Sequence, residues 1–198
     1  MRLPADATLI VIDVLAVIDD PCRGPRDNSE AETKIGALIA AWRAERLPLI
    51  HVFFDSTESD SPYTSHGPGH RFRRYAMPLA GETLAGANAD SAFVGTGLER
   101  LLDEFGATTL VLCGALTPSF EGTARDAASL GYQAFIVADA CWAIDKVDRH
   151  RKLPAEDALA LSLLLLQGEY GRIVDAAAAL DAAATAKARQ RRAAGKAQ

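Results

Sequence analysis

The stretch "CGALTPSFEGTARDAASLGYQAFIVADAC", residues 113–141, decides the fold. It starts at the end of an apolar run, passes a short loop, shows a helical pattern over 121–131 and ends in a second apolar run over 132–139. A strand, a helix and a second strand in so short a stretch predict a βαβ unit with parallel strands. The loop is where an α/β enzyme usually carries its nucleophile, and it offers Ser119 but no cysteine.

The same alternation continues along the chain. Both sets of segments follow hydrophobic periodicity and turn signals. The predicted strands are 7–13, 47–54, 108–114, 132–139 and 171–176, and the predicted helices are 29–46, 95–106, 121–131 and 154–168. The strand runs are almost continuously apolar, so both faces of the sheet should be covered. We therefore predict an α/β fold: a single-domain doubly wound parallel sheet of five to six strands with helices on both faces.

Local signals predict where the helices begin and end. Ser29 followed by Glu32 has the spacing of a capping box, Gly106 and Gly131 suit positions just after a helix, and Pro154 suits a first turn. Helix 154–168 is apolar almost all round, which predicts burial in the core or at a subunit contact.

Length and composition indicate one domain. The chain has 198 residues with 49% hydrophobic content, and we assign 1–184 to the α/β domain and 185–198 to a basic, Ala-rich tail. Residues 55–94 are rich in Ser, Pro, Gly and His and show no clear helix or strand. A segment this long between two parts of one sheet predicts a functional loop or lid.

Charge and cysteine usage exclude several classes. The net charge is −5, and the basic residues of the tail hide a more acidic body, which argues against nucleic acid as a partner. No apolar run is long enough for a membrane span and no basic leader precedes the first strand, so we expect a soluble, cytoplasmic protein.

Cys22, Cys113 and Cys141 are expected to be reduced thiols. His66 and His70 lie in a Pro- and Gly-containing segment that cannot form a helical metal pair, and we expect no metal and no cofactor.

An ordered series of motifs resembles the isochorismatase-like superfamily of cysteine hydrolases. The motifs span about residues 7 to 180 and read "LIVIDV", "SAFVGTGLERLL", "TLVLCGALT", "GTARDAASLGYQAFIVADA" and "ALSLLLLQGEYGRIV". The resemblance implies a triad of Asp, Lys and Cys, in which the thiolate attacks an amide-type carbonyl and backbone N–H groups at a helix start hold the oxyanion. Members that hydrolyse isochorismate lack the Cys but use the Asp and the Lys.

Carried over by position, this triad is incomplete. Asp13 in "VIDV" matches the acid, the lysine position falls on Ala87, and the cysteine position falls on Ser119. The loop before Ser119 is also about one residue shorter than the family's pattern. Ser119 is therefore either a weakened nucleophile or simply the N-cap of the helix that follows, with Glu121 in the first turn.

Ligands of doubly wound sheets bind beyond the carboxyl ends of the strands, which selects the other candidate site residues. The loop arginines, Arg74 among them, either clamp a ligand carboxylate in place of the missing lysine or form a solvated surface. The candidate ligand-binding residues are Phe54, Arg74, Leu116, Thr117, Pro118 and Trp142.

Two functions follow. The first is a family member that has lost cysteine-hydrolase chemistry and binds a small carbonyl or carboxylate ligand. The second is an active hydrolase of an amide C–N or ether bond that uses Asp13 with Ser119. A Ser119 Oγ out of reach of any base, together with an uncharged cleft at Ala87, would exclude the second. The resemblance also implies a homo-oligomer, with a dimer expected first.

Overall fold

A computed structural model of the chain describes residues 2–19 and 24–194. Its centre is a parallel sheet in the strand order β3-β2-β1-β4-β5-β8, which confirms the predicted doubly wound α/β fold. The six strands are β1 (Thr8–Ile12), β2 (Leu49–Phe54), β3 (Thr83–Ala87), β4 (Thr109–Ala115), β5 (Gln133–Trp142) and β8 (Arg172–Val174). Two short strands, β6 (Lys146–Val147) and β7 (Lys152–Leu153), form a separate antiparallel hairpin.

Helices cover both faces of the sheet. They are α1 (Ala31–Glu45), α2 (Leu98–Phe105), α3 (Pro118–Ser129), α4 (Ala155–Leu166) and α5 (Ala176–Ala194). One core layer joins the sheet to α1 and α5, with Trp42 fully buried in it. The other layer joins the sheet to α2, α3 and α4, with Phe120 fully buried in it. Helix α5 continues across the predicted boundary between 184 and 185.

The sequence analysis missed β3. It lies inside the segment 55–94, has the sequence TLAGA and pairs with β2 at the edge of the sheet. Ala and Gly have low strand propensity. A strand at the edge of the sheet also pairs with only one other strand, so it does not need a continuous apolar run, and its sequence signal is weak. Only Ala85 and Ala87 of this strand are buried.

Helix ends follow the predictions in part. Gly106 and Gly131 have left-handed φ angles of +65° and +90° just after their helices, as predicted. The predicted capping box at Ser29 is wrong, because α1 has Glu30 at its N-cap with no side-chain bond, and the carboxylate of Glu32 pairs with Arg26 instead.

Helix α4 is not buried on all sides. Leu161, Leu164 and Leu165 are 50%, 74% and 55% exposed, so burial of the whole helix in the core is wrong. Only Ala155, Ala158 and Leu166 of α4 are buried. The subunit contact, the other alternative, stays a prediction.

Cys113 and Cys141 are buried and free. Burial raises the pKa of Cys141 to about 12 and the pKa of Cys113 above its usual value, so neither thiol is a ready nucleophile. Cys22 lies outside the described residues. Within the described ranges, no helix is long and apolar enough to cross a membrane, and no group of His, Cys, Asp and Glu side chains is arranged to hold a metal ion.

Candidate functional site

The candidate site lies where β1 and β4 end beside the start of α3. The two strands run parallel, with Ile12 opposite Gly114. A Cβ at Gly114 would stand 2.1 Å from the Ile12 carbonyl oxygen, and its φ is +130°, so only glycine allows this close approach. Directly after β1, Asp13 adopts a left-handed φ of +54°, and its N–H donates to the Val52 carbonyl. The strand ends thus fix the direction of the Asp13 side chain.

Asp13 is a buried carboxyl group with both oxygens engaged. The Phe54 N–H donates to Oδ1 at 2.8 Å, and the Thr117 hydroxyl donates to Oδ2 at 2.8 Å. Both bonds favour the ionised form, but burial opposes it more strongly. The pKa of Asp13 is raised from 3.8 to about 6.

Thr117, and not Ser119, caps α3. Thr117 is extended, with φ −102° and ψ 169°, and its Oγ1 accepts a hydrogen bond from the Phe120 N–H at 3.2 Å. The predicted N-cap role of Ser119 is wrong because Pro118 takes the first helical position, and a residue before proline favours the extended conformation that a cap requires. Glu121 does lie in the first turn.

Ser119 carries two donors, its hydroxyl and its backbone N–H, that have no partner among the described residues. Its side chain is buried, and its Oγ has no hydrogen-bond partner among the described residues. The neighbouring N–H groups are used: Leu116 donates to Trp142, Thr117 to Ala115, and Glu121 to Thr117. Pro118 has no N–H. The hydroxyl and the backbone N–H of Ser119 are therefore the donors left at the first turn.

A cavity of about 250 Å³ opens above these groups. Its walls combine apolar and aromatic side chains with a few polar groups, as is usual for small-molecule sites. The lining residues are Asp13, Val17, Ile18, Phe54, Tyr63, Asp90, Ala115, Leu116, Thr117, Pro118, Ser119, Trp142, Ala143, Ile144 and Lys146.

The structure brings most of the candidate site residues to this cavity, but not Ala87 or Arg74. Asp13, Phe54, Leu116, Thr117, Pro118, Ser119 and Trp142 line it. Ala87 is buried in β3 opposite Phe54, and its carbonyl accepts the Asp55 N–H. Arg74 is exposed in a short 3-10 turn outside the lining.

Sequence reasoning missed several lining residues. Val17 and Ile18 follow β1, and Tyr63 comes from the segment 55–94, where its ring meets Phe54 edge-on at 5.6 Å. Asp90 and Lys146 bring opposite charges. The one signal that could have indicated Lys146 is its place shortly after Trp142, at the end of β5.

The Asp90 segment is packed directly on α3. A Cβ at Gly122 would stand 1.7 Å from the Asp90 carbonyl oxygen, so glycine is required there. The Ala92 N–H donates to Thr123 Oγ1 at 2.9 Å, and Thr123 in turn donates to the Ser119 carbonyl at 2.7 Å. These contacts hold Asp90 beside the first turn of α3.

Comparison with known proteins gives a consistent answer. The model of the isochorismatase domain matches residues 7–157. The crystal structure of an isochorismatase-family protein from Chromobacterium violaceum is 40% identical and superimposes with a TM-score of 0.89 over 93% of this chain and 97% of that one.

Two curated relatives extend the comparison. The isochorismatase family protein YrdC of Bacillus subtilis is 28% identical over 84% of this chain and 90% of its own length. Streptothricin hydrolase of Streptomyces noursei is 28% identical over 67% of this chain, but the match covers only 48% of that protein.

Proposed function

Because the chain belongs to the isochorismatase family, we propose that its cavity binds a small carbonyl or carboxylate compound without the covalent chemistry of a cysteine hydrolase. One observation carries the proposal: the Oγ of Ser119 has no partner among the described residues. By resemblance, Ser119 falls at the position of the family's nucleophile. A serine hydroxyl attacks a carbonyl only when a base accepts its proton.

Among the described residues, no base is hydrogen-bonded to the Ser119 hydroxyl. Both oxygens of Asp13 already accept hydrogen bonds, from Phe54 and from Thr117. No histidine lines the cavity. The buried thiols of Cys113 and Cys141 have raised pKa values and do not line it either.

The start of α3 is also a poor oxyanion site. Such a site normally needs at least two donors aimed at one oxygen. Pro118, directly before the nucleophile position, cannot supply an N–H. In the described part of the chain, the first turn of α3 therefore offers one backbone donor without a partner, the Ser119 N–H, where a hydrolase of this type needs a pair.

The same two donors suit noncovalent binding. The Ser119 hydroxyl and N–H can both donate to one acceptor oxygen, and a helix N-terminus favours partial or full negative charge. A buried hydroxyl without a partner is costly, so a ligand oxygen placed there regains a hydrogen bond that the protein alone leaves unmade. The cavity volume of about 250 Å³ lies just below the range of about 300–1,000 Å³ common for drug-sized ligands, which indicates a small compound.

The charge of Asp13 makes it possible to distinguish a carboxylate ligand from a neutral carbonyl ligand. Its pKa of about 6 means that the side chain carries a negative charge above that pH and is mostly neutral below it. A ligand carboxylate beside it should bind more tightly as the pH falls below 6, whereas a neutral amide should bind with little pH dependence.

The direct test measures the affinity of benzamide and benzoate by calorimetry at pH 5 and pH 7.5. We expect Ser119→Ala to weaken the compound that binds by about fivefold to tenfold, the effect of one hydrogen bond. Ser129→Ala is the matched control, since its hydroxyl bonds Arg125 on the exposed part of α3. Equal affinities for wild type and Ser119→Ala would contradict the proposal.

A hydrolase that uses Asp13 and Ser119 is the second candidate. Two findings favour it: the pKa of Asp13 near 6 lets that group exchange a proton close to neutral pH, and one relative is a streptothricin hydrolase. Turnover of isochorismate or of a panel of amides, lost in Asp13→Asn, would support it. We expect no turnover.

We further propose that the protein is a cytoplasmic homodimer. The exposed Leu161, Leu164 and Leu165 of α4 support a contact with a second copy, because monomeric proteins rarely leave such side chains grouped on the surface. Sedimentation of Leu164→Glu, compared with wild type, tests this. We expect a dimer for the wild type and a monomer for the variant.

A further inference from the structure

The rim of the cavity carries two opposite charges that the proposed function does not use. Asp90 and Lys146 both line the cavity, and both residues are exposed. The family's lysine position is Ala87, yet a lysine from a different part of the chain reaches the same cavity. A carboxylate, Asp90, lies three residues beyond Ala87.

Asp90 and Lys146 are positioned by different parts of the chain. Asp90 is fastened to α3 through the close approach of Gly122 to its carbonyl. Lys146 begins the β6–β7 hairpin and pairs with Leu153. Asp145, directly before it, accepts the Ala155 N–H at 3.0 Å and pairs with Lys152 at 2.6 Å, which ties the hairpin to the start of α4.

The two charges do not neutralise each other directly. Among the described residues, neither Asp90 nor Lys146 forms an ion pair, so their charged atoms are more than 4.0 Å apart. A ligand that lies between them can contact both. A purely anionic ligand would be attracted by Lys146 but repelled by Asp90 and Asp13. A purely cationic ligand would be repelled by Lys146.

We infer that the ligand is an amino-acid-like zwitterion whose ammonium faces Asp90 and whose carboxylate faces Lys146. The inference rests on the proposed function, in which the buried Ser119 binds a carbonyl oxygen of the ligand inside the cavity. The complete ligand therefore carries a carbonyl group at one end and the two charges at the other. The aromatic side chains of Phe54, Tyr63 and Trp142 lie on the walls and suit an apolar or planar middle part.

The test uses compounds that differ only in charge. The probes are 4-carbamoylphenylalanine, the same molecule without its ammonium, 3-(4-carbamoylphenyl)propanoate, and the same molecule without its carboxylate, 4-(2-aminoethyl)benzamide. Glutamine, glutaramate and 4-aminobutanamide form a smaller triad of the same design. Affinities are measured by calorimetry at pH 7.5. We expect the zwitterion of at least one triad to bind about twofold to fivefold more tightly than both of its partners, since exposed ion pairs give effects of this size.

Single substitutions test which side chain contacts which charged group of the ligand. Lys146→Met should reduce the affinity for the zwitterion to that for the amine, and Asp90→Asn should reduce it to that for the acid. Arg149→Met, in the turn of the same hairpin, and Asp103→Asn, on exposed α2, remove equal charges away from the cavity and should change nothing. Unfolding temperatures without ligand confirm that all four variants fold.

The outcomes separate the two proposals. If Ser119→Ala weakens all three members of a triad but the zwitterion has no advantage, or keeps its advantage in Lys146→Met and Asp90→Asn, the zwitterion inference is wrong while the proposed function stands. If Ser119→Ala changes no affinity, the proposed function fails. An advantage of the zwitterion that each rim substitution abolishes supports the inference.

Discussion

Two carboxylates next to strands of the sheet, the partly buried Glu82 and the buried Asp13, have opposite surroundings. Glu82, just before β3, receives two bonds from Arg43, at 2.7 and 2.8 Å, and one each from the Leu79 N–H and from His51 Nε2. These bonds hold the pKa of Glu82 down at about 2. Asp13, just after β1, is bonded to no cation among the described residues, and burial raises its pKa to about 6.

The difference indicates which carboxylate serves the fold and which one belongs to the proposed ligand site. The charge of Glu82 is compensated by Arg43, so this carboxylate needs no other molecule. Asp13 is held in place by neutral donors, and the Ser119 hydroxyl beside it on the cavity floor has no partner among the described residues. Folding alone does not explain that arrangement, because it costs stability.

The largest expected effect is at Glu82. Glu82→Gln should lower the free energy of unfolding at pH 7 by about 2 to 3 kcal/mol, because the partly exposed Arg43 guanidinium loses its charged partner. Since the folded-state pKa is depressed, the loss should fade as the pH falls from about 4.5 toward 2. Urea unfolding measures it, with Glu169→Gln on the surface as control. A loss under 1 kcal/mol at pH 7 would contradict our description of the bonds to Glu82.

The next effect has the opposite sign. Asp13→Asn should raise the free energy of unfolding at pH 7.5 by about 2 kcal/mol, because it removes a buried charge without a cation. The folded-state pKa of Asp13 is raised, so the wild type is relatively most stable below about 3.8 and loses that advantage as the pH rises through 6. The gain should therefore disappear at pH 4. Urea unfolding at both pH values, with Asp103→Asn as control, checks this, and a variant less stable than wild type at pH 7.5 would refute it.

Thr117→Val should lower the free energy of unfolding at pH 7 by about 1.5 kcal/mol, since it removes the N-cap of α3 and one donor to Asp13. The same change should raise the pKa of Asp13 further, because the Thr117 bond lowers it. Thermal unfolding measures the cost, and NMR titration of the Asp13 carboxyl carbon measures the shift. Thr57→Val, on an exposed loop, is the control. An unchanged pKa would mean that the Thr117 bond does not form.

The smallest expected effect on stability is at Ser119. Ser119→Ala should raise the free energy of unfolding by up to about 1 kcal/mol, because it removes a buried hydroxyl that makes no hydrogen bond within the described protein. Urea unfolding with the same Ser129→Ala control measures this. A large loss of stability would show that the hydroxyl has a structural partner.

The fold was predictable because its signals are local and repeated. The five apolar runs and the helical patterns between them are strong enough to place the central strands and α1 to α4. Edge strand β3 was not predictable, since TLAGA has neither β-branched bulk nor a sustained apolar pattern. The exposed leucines of α4 show the limit of composition, because an apolar helix can face solvent or a partner as well as the core.

The site was predictable only where it lies at strand ends. Asp13, Thr117 and Ser119 follow β1 and β4 directly, so parallel pairing brings them together. Asp90 and Lys146 reach the cavity through tertiary packing: one through Gly122 of α3, the other through the hairpin after β5. No periodicity in the sequence records such contacts. The two-residue error in the cap of α3, from Ser119 to Thr117, arose because Pro118 takes the first helical position.

Covalent labelling tests the central claim most directly. The protein is incubated with an activated ester, p-nitrophenyl acetate, and the peptide that contains Ser119 is analysed by mass spectrometry, with Ser119→Ala as control. We predict that this peptide stays unmodified at Ser119 in both proteins, because no base activates the hydroxyl. An acetyl group on Ser119 of the wild type, formed at stoichiometric yield and dependent on Asp13, would show a working nucleophile and contradict the account.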